Sequence, residues 1–185
     1  VPFGKLIPKQ AKVVSKHVRG QVVTDLGAGD LSLSKRLLKL GALHVCCIDK
    51  EDKPKGVLPA RLSYAKAYFQ DMGAESPIDV AFISWPSNYD NGLITLIEKA
   101  RVVIYLGCNT DGSACGTPHI FRHLLRRELL DYEPHHDNSL IVVGKSLDTY
   151  RSATGEELAG VRCFEAYYSF KEAEARAAQL CARAV

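Results

Sequence analysis

Four residues between Gln21 and Lys50 have the types and the spacing to do chemistry: Asp25, Gly27, Gly29 and Asp49. Glycines at 27 and 29 remove the Cβ atoms that would hold a ligand away from the backbone. A helix opening directly behind them would present unpaired N–H groups and the positive end of its dipole to the same ligand. Asp49 stands twenty positions beyond Gly29, where a carboxylate at a strand end accepts hydrogen bonds from both hydroxyls of a ribose. The combination points to a nucleoside-bearing cofactor.

The elements that must position these residues are legible around them. Gln21 to Leu26 is an apolar run rich in β-branched residues that breaks into Gly27-Ala28-Gly29, the pattern of a buried strand entering a tight turn. From Leu31 to Leu40 the leucines at 33, 37 and 40 fall at helical spacing, with Asp30 or Ser32 to cap the first turn and Lys35, Arg36 and Lys39 on the opposite face. Gly41 stops the helix, and Val45-Cys46-Cys47-Ile48 forms a second strand ending in Asp49. The unit is strand-helix-strand, which predicts a right-handed crossover and a parallel sheet.

Two cofactor classes use such a unit. A dinucleotide site wants Gly-x-Gly-x-x-Gly, whose third position here is Ser32, and it makes no demand for an acid just before the first glycine. Asp25-Leu26-Gly27-Ala28-Gly29 resembles instead the Asp/Glu-x-Gly-x-Gly motif of the class I S-adenosylmethionine-dependent methyltransferases. Asp49 matches that family's ribose-binding acid, while Leu31 stands where many members carry a third glycine. The resemblance implies a single Rossmann-like α/β domain with a seven-stranded, mostly parallel sheet, an antiparallel last strand and helices on both faces. It implies S-adenosylmethionine as cofactor and S-adenosylhomocysteine as product. The implied cofactor site places Asp25, Gly27 and Gly29 at the methionine end, Asp49 at the ribose and Asp71 at the adenine, with Ala28, Lys50, Met72 and Ser84 as further cofactor-binding residues.

The remaining order of elements suits that family. An arm and short helix, Ala11 to Val18, precede the first strand. Lys50 to Pro59 holds two prolines and supports no full helix. Ala60 to Tyr64 is expected to make one helical turn and Ala65 to Phe69 a third strand. Val80 to Ile83 is a buried fourth strand, opened by Ile78-Asp79-Val80 as in the family. Its end, Ser84, Trp85, Pro86, Ser87, Asn88 and Tyr89, falls where the family places substrate-facing residues; Ser84 and Pro86 match two positions of the Asp/Asn/Ser-Pro-Pro-aromatic motif of amino-group methyltransferases. Trp85 and Tyr89 suit either a packed loop or a wall for a planar or cationic substrate. A helix over Asn91–Ala100 with Leu93, Leu96 and Ile97 inward, a fifth strand from Arg101 to Leu106, a polar loop over 107–117 and a helix from Pro118 through Leu130 follow. Ser139 to Val143 is expected as the sixth strand, Arg162 to Phe170 as the seventh and residues 171–185 as a terminal helix.

Composition bounds the rest. With 185 residues and 46% hydrophobic content the chain suits one core and one domain. Its apolar runs are too short for a membrane span and no leader-like start is visible, so a cytoplasmic location is expected by default, with no membrane partner. A formal charge of +3 does not announce duplex-DNA binding, and Arg122, His123, Arg126 and Arg127 read as a solvated helix face. The six cysteines form no C-x2-C pair and suit reduced thiols; Cys108, Cys115, His119 and His123 have an uncommon spacing for zinc, and no metal is expected. The acceptor stays open among a small molecule, a protein side chain and an RNA, as does the oligomeric state. A nicotinamide-dependent oxidoreductase and a non-catalytic binding protein of the same fold are the alternatives.

Overall fold

The computed structural model describes residues 5–72, 77–86, 91–107, 118–135 and 138–151. Helix α1 (Pro8–Val18) leads into β1 (Val22–Leu26), α2 (Ser32–Lys39), β2 (His44–Asp49) and β3 (Leu62–Lys66). A 3₁₀ turn over Phe69–Asp71 precedes β4 (Ile78–Ser84), α3 (Asn91–Lys99) and β5 (Ala100–Gly107); α4 (Pro118–Leu125), β6 (Arg127–Glu133) and β7 (Ser139–Ser146) complete the described elements. The seven strands form one sheet in the order β3-β2-β1-β4-β5-β7-β6. β7 lies antiparallel between β5 and β6, and the pairings among β1 to β5 are parallel.

Both faces of the sheet are covered, as an all-but-parallel sheet requires. Alternate residues of each strand serve opposite layers: Val80 and Phe82 pack with Val14 and Val18 of α1 and Leu37 and Leu38 of α2. Ala81 and Ile83 pack with Leu93, Leu96 and Ile97 of α3 and Phe121 and Leu124 of α4. Among the described residues no helix is long and apolar enough to cross a membrane.

Three expectations are corrected. The third strand is Leu62–Lys66, three residues earlier than predicted, because it pairs with β2 from Val45↔Leu62 to Asp49↔Lys66. Tyr68 and Phe69 therefore fall beyond the strand, and Ala60 to Tyr64 makes no helical turn. The helix from Pro118 ends at Leu125, and Arg127–Glu133 is the sixth strand. Ser139–Ser146, predicted as the sixth, is the inserted antiparallel seventh. The segments 162–170, 171–185 and most of 107–117 lie outside the described residues.

The presumed solvated cluster at 122–127 also resolves differently. Arg127 is 4% exposed, and its guanidinium donates to the carbonyls of Ile97 (2.7 Å), Ala100, Arg101 (3.2 Å) and Gly144 (2.6 Å). Carbonyls at the end of α3 have no helical partner of their own, and this buried cation satisfies them. Arg126 lies 5.4 Å from the centre of the Tyr150 ring, Arg122 donates to the Tyr150 hydroxyl at 2.7 Å, and His123 meets Glu98 at 3.0 Å.

Candidate functional site

The sheet order sets where a ligand can enter. From β1 the chain moves outward to β2 and β3, then returns to place β4 on the other side of β1. Ligands of open α/β sheets bind at such a reversal, outside the carboxyl ends of the strands. The register aligns Leu26 with Ile48 on one side and Ile83 on the other. Gly27, Asp49 and Ser84 are consequently the next residues of three adjacent strands, and they surround a cavity of about 160 Å³. Its walls are Leu26, Gly27, Asp49, Lys50, Ala67, Tyr68, Phe69, Ser84, Trp85 and Pro86.

The glycine turn is shaped as the sequence suggested. Gly27 and Gly29 have φ of +84° and +53°, and a Cβ at either would meet no atom within 4 Å. The backbone there opens onto unfilled space, the cradle in which a cofactor can lie against the chain. Gly27 N–H donates to Ile48 O at 2.8 Å, which ties the turn to β2. Leu31 takes φ 66°, the left-handed conformation that a glycine would adopt at low cost, and its side chain is 2% exposed. The strain, on the order of 1–2 kcal/mol, is offset by burial of a leucine, about 1.5–3 kcal/mol. The departure from the third glycine thus keeps the glycine's backbone geometry.

Asp49 is 9% exposed, and its two oxygens accept from Gly29 N (2.8 Å) and Glu51 N (3.0 Å). Each oxygen keeps a further lone pair for a hydroxyl. Asp25 lies outside the cavity lining and is 1% exposed; Ser34 Oγ donates to its Oδ2 at 2.5 Å, and its Oδ1 has no partner among the described residues. Burial, partly relieved by Ser34 and reinforced by the nearby Asp49 charge, pushes the Asp25 carboxyl up to about 7. Asp30 accepts from the Ser32 N–H at 2.9 Å and from its hydroxyl just ahead of α2, whose N-cap position is Leu31 and carries no side-chain cap.

The fourth-strand end is fixed rather than loose. Trp85 takes φ 48°, its N–H donates to Leu106 O at 2.9 Å, and its indole Nε1 donates to Asn138 Oδ1 at 2.9 Å. Asn138 in turn donates to Lys5 O at 2.9 Å and accepts from Gln10 Nε2 at 2.5 Å. A tryptophan held in a left-handed conformation stores of order 1–3 kcal/mol, and the bonds to Leu106 of β5 and to Asn138, itself tied to α1 through Gln10, hold it there.

Of the predicted residues, Gly27, Asp49, Lys50, Ser84, Trp85 and Pro86 come together at one cavity. Asp71 is exposed and Met72 half-buried at the end of the 3₁₀ turn, and neither lines it. Asn88 and Tyr89 lie outside the described residues. Sequence reasoning missed Tyr68 and Phe69 as walls, because it placed Phe69 inside a strand. It also missed Ser34, whose hydroxyl meets Asp25 nine positions earlier, and Asn138, whose partners lie far off in the chain. Among the described residues no group of three or more His, Cys, Asp and Glu is placed to hold a metal ion. Cys108 and Cys115 and the side chain of His119 lie outside them. Cys46 and Cys47 are free thiols, and burial pushes Cys47 up to about 12.

No protein-family model matches the chain, and no curated protein matches it. Solved structures do. A Lactococcus lactis protein provisionally described as a hemolysin superposes with a TM-score of 0.58 at 12% identity, over 83% of this chain and 92% of its own. Burkholderia thailandensis 1,6-didemethyltoxoflavin-N1-methyltransferase, solved with bound 1,6-didemethyltoxoflavin and S-adenosylhomocysteine, gives 0.55 at 14% identity over 74% and 78%. The ribosomal protein L11 methylase of Lactobacillus delbrueckii subsp. bulgaricus gives 0.53 at 18% identity over 75% and 78%. Together with the strand order and the antiparallel β7, these likenesses establish that the chain has the class I Rossmann-like fold of the S-adenosylmethionine-dependent methyltransferases.

Proposed function

We propose that the protein is an S-adenosylmethionine-dependent methyltransferase. The observation that carries this reading is the meeting, at the switch point of the sheet, of an open glycine turn, the Asp49 carboxylate and the Ser84–Trp85–Pro86 strand end around one cavity. The unfilled space over Gly27 and Gly29 and the lone pairs that the Asp49 carboxylate keeps for hydroxyls fit a polar cofactor at this place. At about 160 Å³ the cavity is smaller than the ~300–1,000 Å³ usual for such ligands. The chain continuing from Met72, Pro86 and Gly107 lies outside the described residues.

When bound, S-adenosylmethionine would supply an electrophilic methyl carbon to an acceptor lone pair and would leave as S-adenosylhomocysteine. This chain's part is binding and alignment, which can supply much of the acceleration without an acid or base. In this assignment Asp49 accepts from the ribose hydroxyls, held in place by the Gly29 and Glu51 amides. Asp25 secures the start of α2 through Ser34 at the methionine end, and Asp71 with Met72 serves the adenine side. Ser84, Trp85 and Pro86 face the acceptor and keep water from it, and the assignment gives Asn88 and Tyr89 the same substrate-facing role.

Thermal denaturation tests the cofactor class. With a micromolar dissociation constant, 1 mM S-adenosylhomocysteine would stabilise the fold by about 4 kcal/mol, a rise of several degrees in Tm, while NADH leaves it unchanged. A rise with NADH and none with S-adenosylhomocysteine would turn the assignment to the oxidoreductase class.

A further inference from the structure

Helices α1 and α2 pack side by side on one face of the sheet, and neither contains an Asp or Glu. Their outer faces carry Lys9, Lys12 and Lys16, with Arg19 just after α1, and Lys35, Arg36 and Lys39 on α2; Lys5 precedes them, and all eight are exposed. Residues 5–40 hold these eight cations against only Asp25, which is buried, and Asp30, a net of +6 in a chain whose total is +3. The rest of the molecule is therefore net negative, and the positive charge is concentrated on one face.

That face has a track. Lys9, Lys12 and Lys16 follow one another along α1 at spacings of three and four residues, which on a helix sets neighbours about 5–6 Å apart, and Lys5 and Arg19 extend the row just beyond its two ends. Lys12, Lys16 and Arg19 flank a shallow groove of about 420 Å³ floored by Ala11, Ser15 and Leu40. Lys9 and Lys16 also reach Glu133 and Asp131 of β6, at 3.9 and 3.0 Å. Lys12, Lys35, Arg36 and Lys39 have no carboxylate within 4.0 Å among the described residues.

The track begins at the candidate site. Trp85, a wall of the cavity, is bonded to Asn138, which is bonded to Lys5 and Gln10 at the start of α1. From there α1 runs about 16 Å. Tyr68, on the cavity wall, is 54% exposed and offers a ring on which a base can stack. No large exposed hydrophobic residue lies on α1 or α2 to anchor a bilayer.

We propose that the α1–α2 face docks RNA, with a single strand laid along α1 and a nucleotide presented to the cavity at Tyr68 and Trp85. A cationic track one helix wide follows one backbone, and unstacked single-stranded segments are what RNA loops and bulges present. The presentation of a nucleotide for methylation rests on the methyltransferase reading; the docking does not.

Fluorescence anisotropy with a labelled single-stranded RNA 20-mer tests it on the full chain across a salt series, with no cofactor present. Lys12→Glu/Lys35→Glu/Lys39→Glu is expected to weaken binding at least about tenfold and to reduce the slope of log K against log salt by about 2, at ~0.7 per lost phosphate contact. The equally charged control Lys53→Glu/Lys55→Glu/Lys145→Glu should bind within about twofold of the parent. Unchanged binding by the first variant, equal loss in the control, or tighter binding of duplex DNA or anionic phosphatidylserine vesicles than of RNA would overturn the proposal. The thermal shift with S-adenosylhomocysteine, run on the same variants, separates the two readings: docking through the track without that shift removes the methyltransferase assignment and leaves the RNA surface.

Discussion

The Asp25 carboxyl illustrates how one residue can be set in tension by the fold. It is fully buried, holds one hydrogen bond from Ser34 and leaves Oδ1 without a partner among the described residues. Its folded value of about 7 lies above the ordinary 3.8. For a group raised in this direction, the stabilising contribution is full below about pH 4 and is lost as pH rises through about 7. At pH 8 the shift corresponds to a penalty on the order of 4 kcal/mol. In the cofactor-free protein Asp25→Asn keeps an acceptor for Ser34 and removes the buried charge, so urea unfolding should show a gain of a few kcal/mol at pH 8 and a smaller one at pH 5. Equal gains at both pH values would show that Asp25 does not titrate in this window. At this scale the sequence was informative about Asp25, Gly27, Gly29 and Asp49, because a strand, a turn and a helix in immediate succession leave little freedom about where their residues sit. It was silent about Ser34 and Asn138, since Asn138 meets Trp85 across 53 positions of chain and only the folded sheet joins them.

At the scale of elements, the errors fall where local preference and tertiary pairing disagree. Arg127-Glu128-Leu129-Leu130 has the composition of a continuing helix, yet it pairs as an edge strand with β7, its register shifted between Arg127 and Leu129 and again between Leu129 and Asp131. Tertiary pairing overrides propensity in strands of this kind. Part of the reason is Arg127 itself, whose guanidinium is bound by carbonyls from α3, β5 and β7 and so fixes where the chain must leave α4. Arg127→Met fills a similar volume and leaves those carbonyls without a donor. It is expected to destabilise the fold by at least about 3 kcal/mol, read by urea unfolding, whereas a change below 1 kcal/mol would mean that water replaces the guanidinium. The 3₁₀ turn is placed by a comparable constraint. A Cβ at Gly92 would lie 2.4 Å from Gln70 N, so α3 can pack this closely on the turn carrying Phe69 only with glycine there.

Across the whole molecule, the order of strands makes a site out of residues that are separated in sequence. Reversal of direction at β1 leaves the ends of β1, β2 and β4 adjacent, and the shared register brings Gly27, Asp49 and Ser84 into one row. The fold class was legible because five strands alternate with helices or short crossovers; the expected count of seven omitted Arg127–Glu133 and included 162–170, which lies outside the described residues. The identity of the last two strands was not legible, for an antiparallel insertion depends on pairings that composition does not encode. The excess of positive charge over residues 5–40 is legible in the sequence, whereas its gathering on one face follows from α1 and α2 packing on the same side of the sheet. The central claim is that the row at the switch point holds S-adenosylmethionine through Asp49. Calorimetric titration with S-adenosylhomocysteine, of the parent and of Asp49→Ala side by side, tests it most directly. Micromolar binding by the parent, weakened at least about tenfold in the variant, as loss of a charged hydrogen-bond partner entails, is the expected result; equal binding by both proteins, or binding of NADH in its place, would contradict it.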